Sequence, residues 1–118
     1  ALSDVDGLYV PAVPAHVRHA FYRLYVYIDP ERLRAGWNQD RVIEAISREG
    51  VPCMHGSCSE IYREKAFEAY WKSSERLPIA RQLGETSIAL FVHPTLGDAE
   101  MQQAISAVRK VMQVAVAR

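Results

Sequence analysis

Leu77-Pro-Ile-Ala-Arg-Gln-Leu-Gly-Glu-Thr-Ser-Ile-Ala-Leu-Phe-Val-His-Pro-Thr-Leu96 carries a helix, a strand and a stop in succession. Pro78 lacks an N–H that a first helical turn would leave unbonded anyway, and Gly84 stands where such a helix would end, so the spacing predicts a short helix from Leu77. From Ser87 to Val92 the chain is then almost unbroken apolar residue: Ile88, Ala89, Leu90, Phe91 and Val92. A run with no alternation predicts a strand covered on both faces, because a half-wet strand would interleave polar side chains. Pro94 closes it.

Downstream, Gly97-Asp98 opens a last helix, Gly being an acceptable N-cap and Asp favouring the positive helix end. Met101, Ala104, Ile105, Val108, Val111, Met112 and Ala115 recur at three- and four-residue steps, which predicts a buried stripe along nearly the whole helix. Upstream, His19 to Ile28 alternates as a strand does: Tyr22, Leu24, Val26 and Ile28 on one side, Phe21, Arg23, Tyr25 and Tyr27 on the other. The aliphatic side is the expected core face. The aromatic side with its arginine suits either a cleft or partner surface, or packing beneath the domain's own helices.

Between these, Asn38 can cap a helix with Val42, Ile43, Ala45 and Ile46 at helical spacing before Gly50. Val51 to Met54 predicts a brief strand. Ser59 then predicts a helix from Glu60 to about Trp71, with Glu60, Glu64 and Glu68 along one solvated stripe. The order strand, helix, short strand, helix, helix, strand, helix gives an α/β sandwich of the α+β kind. About three strands form the sheet, and the long first and last helices pack mainly on one face.

The 118 residues, 49% hydrophobic and 24% charged, suffice for one domain with an ordinary core. Fourteen basic and 14 acidic side chains cancel, leaving no field to recruit nucleic acid or an anionic membrane. With no spanning segment and no charged-then-apolar leader, a cytoplasmic chain is expected. Cys53 and Cys58 fit neither a disulfide framework nor a zinc pattern and are expected as reduced thiols, and no metal site is expected. Pro11, Pro14 and Gly7 make residues 1–17 read as an extended linker leading into a domain over residues 18–118. A chain that opens in such a linker without an initiator methionine is expected to be a segment of something longer.

The sequence has no nucleophile elbow, phosphate loop or metal-ligand cluster. Its densest polar group is Met54-His-Gly-Ser-Cys-Ser-Glu-Ile-Tyr62, with imidazole, hydroxyls, thiol, carboxylate and phenol around one glycine, a composition common in ligand-contacting loops. In the structural alternative Ser59 caps, Cys58 fills, Tyr62 packs and His55 is solvated. His93, before Pro94, is expected to bond a neighbouring carbonyl rather than to act. The candidates for a substrate cleft are His55, Gly56, Ser57, Cys58, Glu60 and Tyr62, joined by Tyr22 and Arg23 of the first strand. Phe21, Tyr25 and Tyr27 are the candidates to face a further domain.

Taken in order, His19-Ala-Phe-Tyr-Arg-Leu-Tyr25, Gly36-Trp-Asn-Gln-Asp-Arg41, Gly50-Val-Pro-Cys53, Gly56-Ser-Cys-Ser-Glu-Ile-Tyr62, Glu64-Lys-Ala-Phe67, Leu77-Pro-Ile-Ala80 and His93-Pro-Thr-Leu96 resemble the C-terminal domain of the DegT/DnrJ/EryC1/StrS aminotransferases. The resemblance implies the small domain of an aspartate-aminotransferase-fold, pyridoxal-phosphate (PLP) enzyme. It further implies a homodimer that moves an amino group from glutamate to a keto nucleotide sugar in polysaccharide or antibiotic-sugar biosynthesis. In that family an N-terminal large domain supplies the cofactor lysine, the acidic partner of the pyridine nitrogen and most phosphate contacts. The lysines of this chain are Lys65, Lys72 and Lys110, and none stands in a matching context, so no catalytic residue is expected here and the chain alone is expected to be inactive. His55-Gly56 departs from the family's histidine-aromatic pair, which weakens the case for His55 as a substrate contact. A stand-alone binding or regulatory module, or the small domain of a PLP sugar dehydratase, are the alternative readings.

Overall fold

The computed structural model describes residues 1–72 and 74–117. Four strands, β1 (Leu8–Tyr9), β2 (Arg23–Ile28), β3 (Cys53–His55) and β4 (Ser87–Phe91), form one antiparallel sheet in the order β1-β2-β4-β3. The apolar run expected as a doubly covered strand is a central strand in which Ser87 to Leu90 are buried, but the expectation is corrected at its end, where Phe91 is exposed and Val92, also exposed, lies beyond β4. Helices α1 (Gln39–Arg48) and α3 (Asp98–Ala115) lie together on one face of the sheet. Helix α2 (Pro78–Thr86) leads directly into β4. Val26, Val42, Ile46, Ile88 and Val108 have no exposed surface, and with Ile28, Leu90, Val111 and Met112 they make one continuous apolar core. The α+β architecture matches expectation, with four strands where about three were foreseen.

Local chemistry accounts for the elements that follow the sequence most closely. Asn38 accepts from the Arg41 N–H at 2.9 Å and starts α1, whose Val42 and Ile46 face the core. Gly97 precedes α3, and the Glu100 carboxylate reaches back to the Gly97 N–H at 2.9 Å. The stripe on α3 is buried from Ala107 onward, while Met101 at its start is 42% exposed. The expectation of burial over almost the whole helix is corrected accordingly.

Three further expectations change. The helix foreseen from Glu60 to Trp71 is two single 3-10 turns, Ile61–Arg63 and Lys65–Phe67, separated by Glu64 in an extended conformation. Ile61, Phe67 and Tyr70 are exposed, so a helix here would have had no apolar surface to bury its stripe against, and a short helix without packing is marginal. Gly84 does not stop α2, which continues to Thr86. The Gln39 amide donates to the Gly84 and Ser87 carbonyls at 3.1 and 2.6 Å and so caps the helix end, while Gly84 makes room for Ser59, whose Oγ would stand 2.4 Å from a Cβ placed there. Finally, the first nine residues of the expected linker are packed. Leu2 and Leu8 are buried, β1 pairs with β2, and Asp4 and Asp6 bond Arg109 and Arg32, while residues 11–20 are exposed.

Candidate functional site

Strand register sorts the candidate residues before any of them touches. Arg23, Tyr25 and Tyr27 stand opposite Phe91, Ala89 and Ser87, and Met54 stands opposite Ala89, so these share the face of the sheet turned away from α1 and α3. Leu24, Val26, Ile28, Ile88 and Leu90 share the helix-covered face, and the same alternation gives that face Cys53 and His55. His55 Nε2 accordingly meets Asp40 Oδ1 in the first turn of α1 at 2.7 Å. It does not join the other candidates.

On the outer face the Tyr25 hydroxyl and Ser57 Oγ are 2.7 Å apart, which brings Tyr25, a candidate to face a further domain, to the Gly56 loop. Gly56 is held by its N–H to the Ser87 carbonyl at 3.1 Å, and a Cβ there would lie 2.0 Å from Ser87 Oγ and 2.8 Å from Ser87 Cβ. Only glycine lets the loop leave β3 so close to β4. Arg23 lies across the sheet, its Nη1 donating to Met54 Sδ at 2.8 Å and its Cζ 5.2 and 5.5 Å from the Tyr22 and Phe91 ring centroids. Tyr22 leaves the expected core face: it is 79% exposed because Phe21, at φ +46°, breaks the strand just before it. Phe21 stacks on His19 at 4.2 Å, and Tyr27 on Tyr9 at 6.2 Å.

Beyond Ser57 the loop is clamped. The Glu60 carboxylate accepts from Arg76 through Nε at 2.8 and 3.1 Å and through Nη2, and from the Tyr62 hydroxyl at 2.6 Å. The Tyr62 oxygen in turn accepts from the Leu77 N–H at 2.9 Å, and its ring rests 4.7 Å from that of Trp71. Arg76 first, and then Tyr62, pull the Glu60 carboxyl down to about 2, while burial and the bond to Glu60 push the Tyr62 phenol up. Glu85 bridges Arg76 and Arg81 at 3.4 and 2.8 Å. These residues and Gly56 to Ser59 line an open groove of about 510 Å³. Sequence reasoning missed Arg76, because Glu60 was read as the first residue of a solvated helical stripe and not as the partner of a distant cation.

The remaining candidates have quieter roles. Cys58 is exposed and donates to Glu64 at 3.3 Å, a contact that raises its thiol pKa; burial pushes half-buried Cys53 up to about 11. Neither is a thiolate at neutral pH. His93 Nδ1 bonds the Thr95 hydroxyl at 2.7 Å, holding the turn before α3 through a hydroxyl instead of the expected carbonyl. Among the described residues no helix is long and apolar enough to cross a membrane, and no group of three or more His, Cys, Asp or Glu gathers as for a metal ion.

A bound aldehyde cofactor would need a lysine amine in a dry pocket facing an anion cradle. Lys110 Nζ is exposed and held 2.7 Å from both oxygens of Glu49; Lys65 sits exposed on a 3-10 turn, and Lys72 is exposed. The residues present do not by themselves fit pyridoxal phosphate.

A family model described as the DegT/DnrJ/EryC1/StrS aminotransferase family matches residues 1–109. No curated protein sequence matches. Among solved structures, an aminotransferase from Psychrobacter cryohalolentis is 44% identical over 90% of this chain and 28% of its own, with a TM-score of 0.82. The aminotransferase TlmJ from Streptoalloteichus hindustanus (24% identity, 95% of this chain and 28% of its own, TM-score 0.76) shares the fold. So does S. venezuelae DesV, solved with a ketimine intermediate (15% identity, 95% and 28%, TM-score 0.78). This chain spans just over a quarter of the length of these relatives.

Proposed function

Since this chain belongs to the DegT/DnrJ/EryC1/StrS aminotransferase family, we propose that it is the small C-terminal domain, residues 18–118 with the lead-in 1–17, of a PLP-dependent transaminase. The 44% identity to an aminotransferase over 90% of the chain carries this reading. The parent is a cytoplasmic homodimer that passes an amino group from glutamate to a keto nucleotide sugar. Pyridoxal phosphate, when bound there, supplies the electron sink that lets the amine leave one carbon and enter another. The part of this chain is to border the substrate. The Tyr25–Ser57 bond and the Glu60–Tyr62–Arg76 clamp hold the Gly56 loop still, so its hydroxyls and backbone present a fixed wall to the cleft, while the chain alone carries no amine transfer.

The test is the complete polypeptide assayed with glutamate against a panel of keto nucleotide sugars. A nitrogen-containing sugar nucleotide and 2-oxoglutarate are the expected products. A deoxygenated sugar without nitrogen would replace the reading with a dehydratase, and no turnover of any member would leave the module reading in its place. The 118-residue chain mixed with pyridoxal phosphate is expected to give no borohydride-sensitive band near the visible edge.

A further inference from the structure

Among the described residues, the outer face of the sheet holds a cation without a counter-ion. Arg76 and Arg109, half-buried like Arg23, each meet a carboxylate. Among the described residues Arg23 forms no ion pair. Its one side-chain hydrogen bond among them goes to Met54 Sδ, a weak acceptor, and Tyr22 and Phe91 offer it ring faces. Ala89, the fully buried small residue opposite Met54 on β4, leaves room for the side chain to cross the sheet. A guanidinium stays charged at physiological pH, and partial burial without an oxygen acceptor is unfavourable. The sulfur and the rings fix its plane, but they do not neutralise it.

We propose that Arg23 is an oxyanion receptor. It takes a carboxylate or phosphate of a ligand seated on the outer face, beside the Tyr25–Ser57 bond. The adjoining groove, of about 180 Å³ and lined by Pro11, Val13, Val17, His19, Phe21 and Tyr25, has room for a small anionic group and not for a whole nucleotide. For the identity of the ligand the inference rests on the transaminase reading. An amino donor brings carboxylates and a nucleotide sugar a diphosphate, and both offer the paired oxygens that a planar guanidinium takes.

The Arg23 Nε–H resonance of the 118-residue chain, assigned through Arg23→Lys, is followed while glutarate or, separately, inorganic phosphate is added. At least one probe is expected to give a saturable shift, and the accompanying shifts of the Tyr25 and Ser57 backbone amides are expected to be lost in Arg23→Gln while the β4 amide resonances of that variant stay where they are in the unsubstituted chain. In the complete polypeptide, Arg23→Gln is expected to raise one KM about tenfold or more with a smaller effect on kcat. The donor KM rises if glutarate is the probe that saturates, and the sugar-nucleotide KM if phosphate is. Flat titrations with both probes, or unchanged KM values, overturn the proposal. Should Arg23→Gln fail to fold, Arg23→Lys keeps the charge without the fork. Binding weakened several-fold then supports the receptor, and unchanged binding overturns it. A saturating Arg23 resonance in a polypeptide that transfers no amino group would remove the transaminase reading and leave the receptor standing.

Discussion

On the helix-covered face of the sheet, Val26, Ile28, Ile88 and Leu90 meet Val42, Ile46, Val108 and Met112 in a core built wholly of apolar side chains. On the other face of the same strands, Arg23, Tyr25 and Met54 are half-buried and bond through guanidinium, hydroxyl and sulfur. Period-two alternation lets β2 and β4 serve both at once, so stability and ligand chemistry can be changed separately. Substitutions on the inner face should move unfolding and those on the outer face binding. The contrast breaks if they do not.

The largest effect is expected from Ile88→Ala, which empties a fully buried site and should cost about 2–5 kcal/mol in chemical denaturation. Tyr25→Phe, one register position away across the strand pair, removes only a half-covered hydroxyl bond and should cost about 1 kcal/mol. Equal losses would mean the outer face is a second core. Gly56→Ala comes next, at roughly 1–3 kcal/mol, because its methyl would collide with Ser87. Adding Ser87→Gly removes both colliding atoms and should restore most of the loss. If the double variant is no more stable than Gly56→Ala, crowding at Ser87 is not what demands glycine there.

What the sequence disclosed follows the same division. Asn38 beside Arg41, the apolar run of β4 and the stripe of α3 are decided within a few residues or by burial alone, and they were legible. β1 was not, because a two-residue strand exists only through its pairing with Leu8 opposite Ile28. The segment after Glu60 has helical spacing, but its geometry is set by Arg76, 16 residues away, whose clamp favours short turns over a helix. Within the site, the Gly56 loop was grouped with Tyr22 and Arg23, whereas the β2 side chain that bonds Ser57 is Tyr25, which was expected to face a further domain. The exit of His55 was hidden because the expected strand stopped at Met54, whereas β3 runs on through His55 and pairing with Ile88 gives it the helix-covered face.

The clamp offers a pH test of moderate size. Glu60 titrates near 4.5 when free and at about 2 when folded, so its stabilisation is complete above about pH 4.5 and is lost as pH falls through about 2. Glu60→Gln should therefore flatten the acid limb of the stability curve between those values and leave its shape near neutrality unchanged. An acid limb of unaltered slope would mean that the Arg76 contact holds the loop without stabilising the fold.

His55→Ala should do least, and for a reason that tests the division between the faces directly. The imidazole belongs by register to the helix-covered side, and its bond to Asp40 joins two side chains that are 58% and 76% exposed. Exposed pairs of this kind contribute about 0–1 kcal/mol, so unfolding should shift by no more than that. Ser57, only two positions on, has crossed to the outer face and bonds Tyr25. Removing His55 should therefore leave every KM of the complete polypeptide within about twofold, far below the change expected for Arg23→Gln. A KM rise as large as that of Arg23→Gln would mean that His55 reaches the ligand in the intact protein, which requires β3 to shift register or the Gly56 loop to turn, and the two faces would no longer be chemically separate.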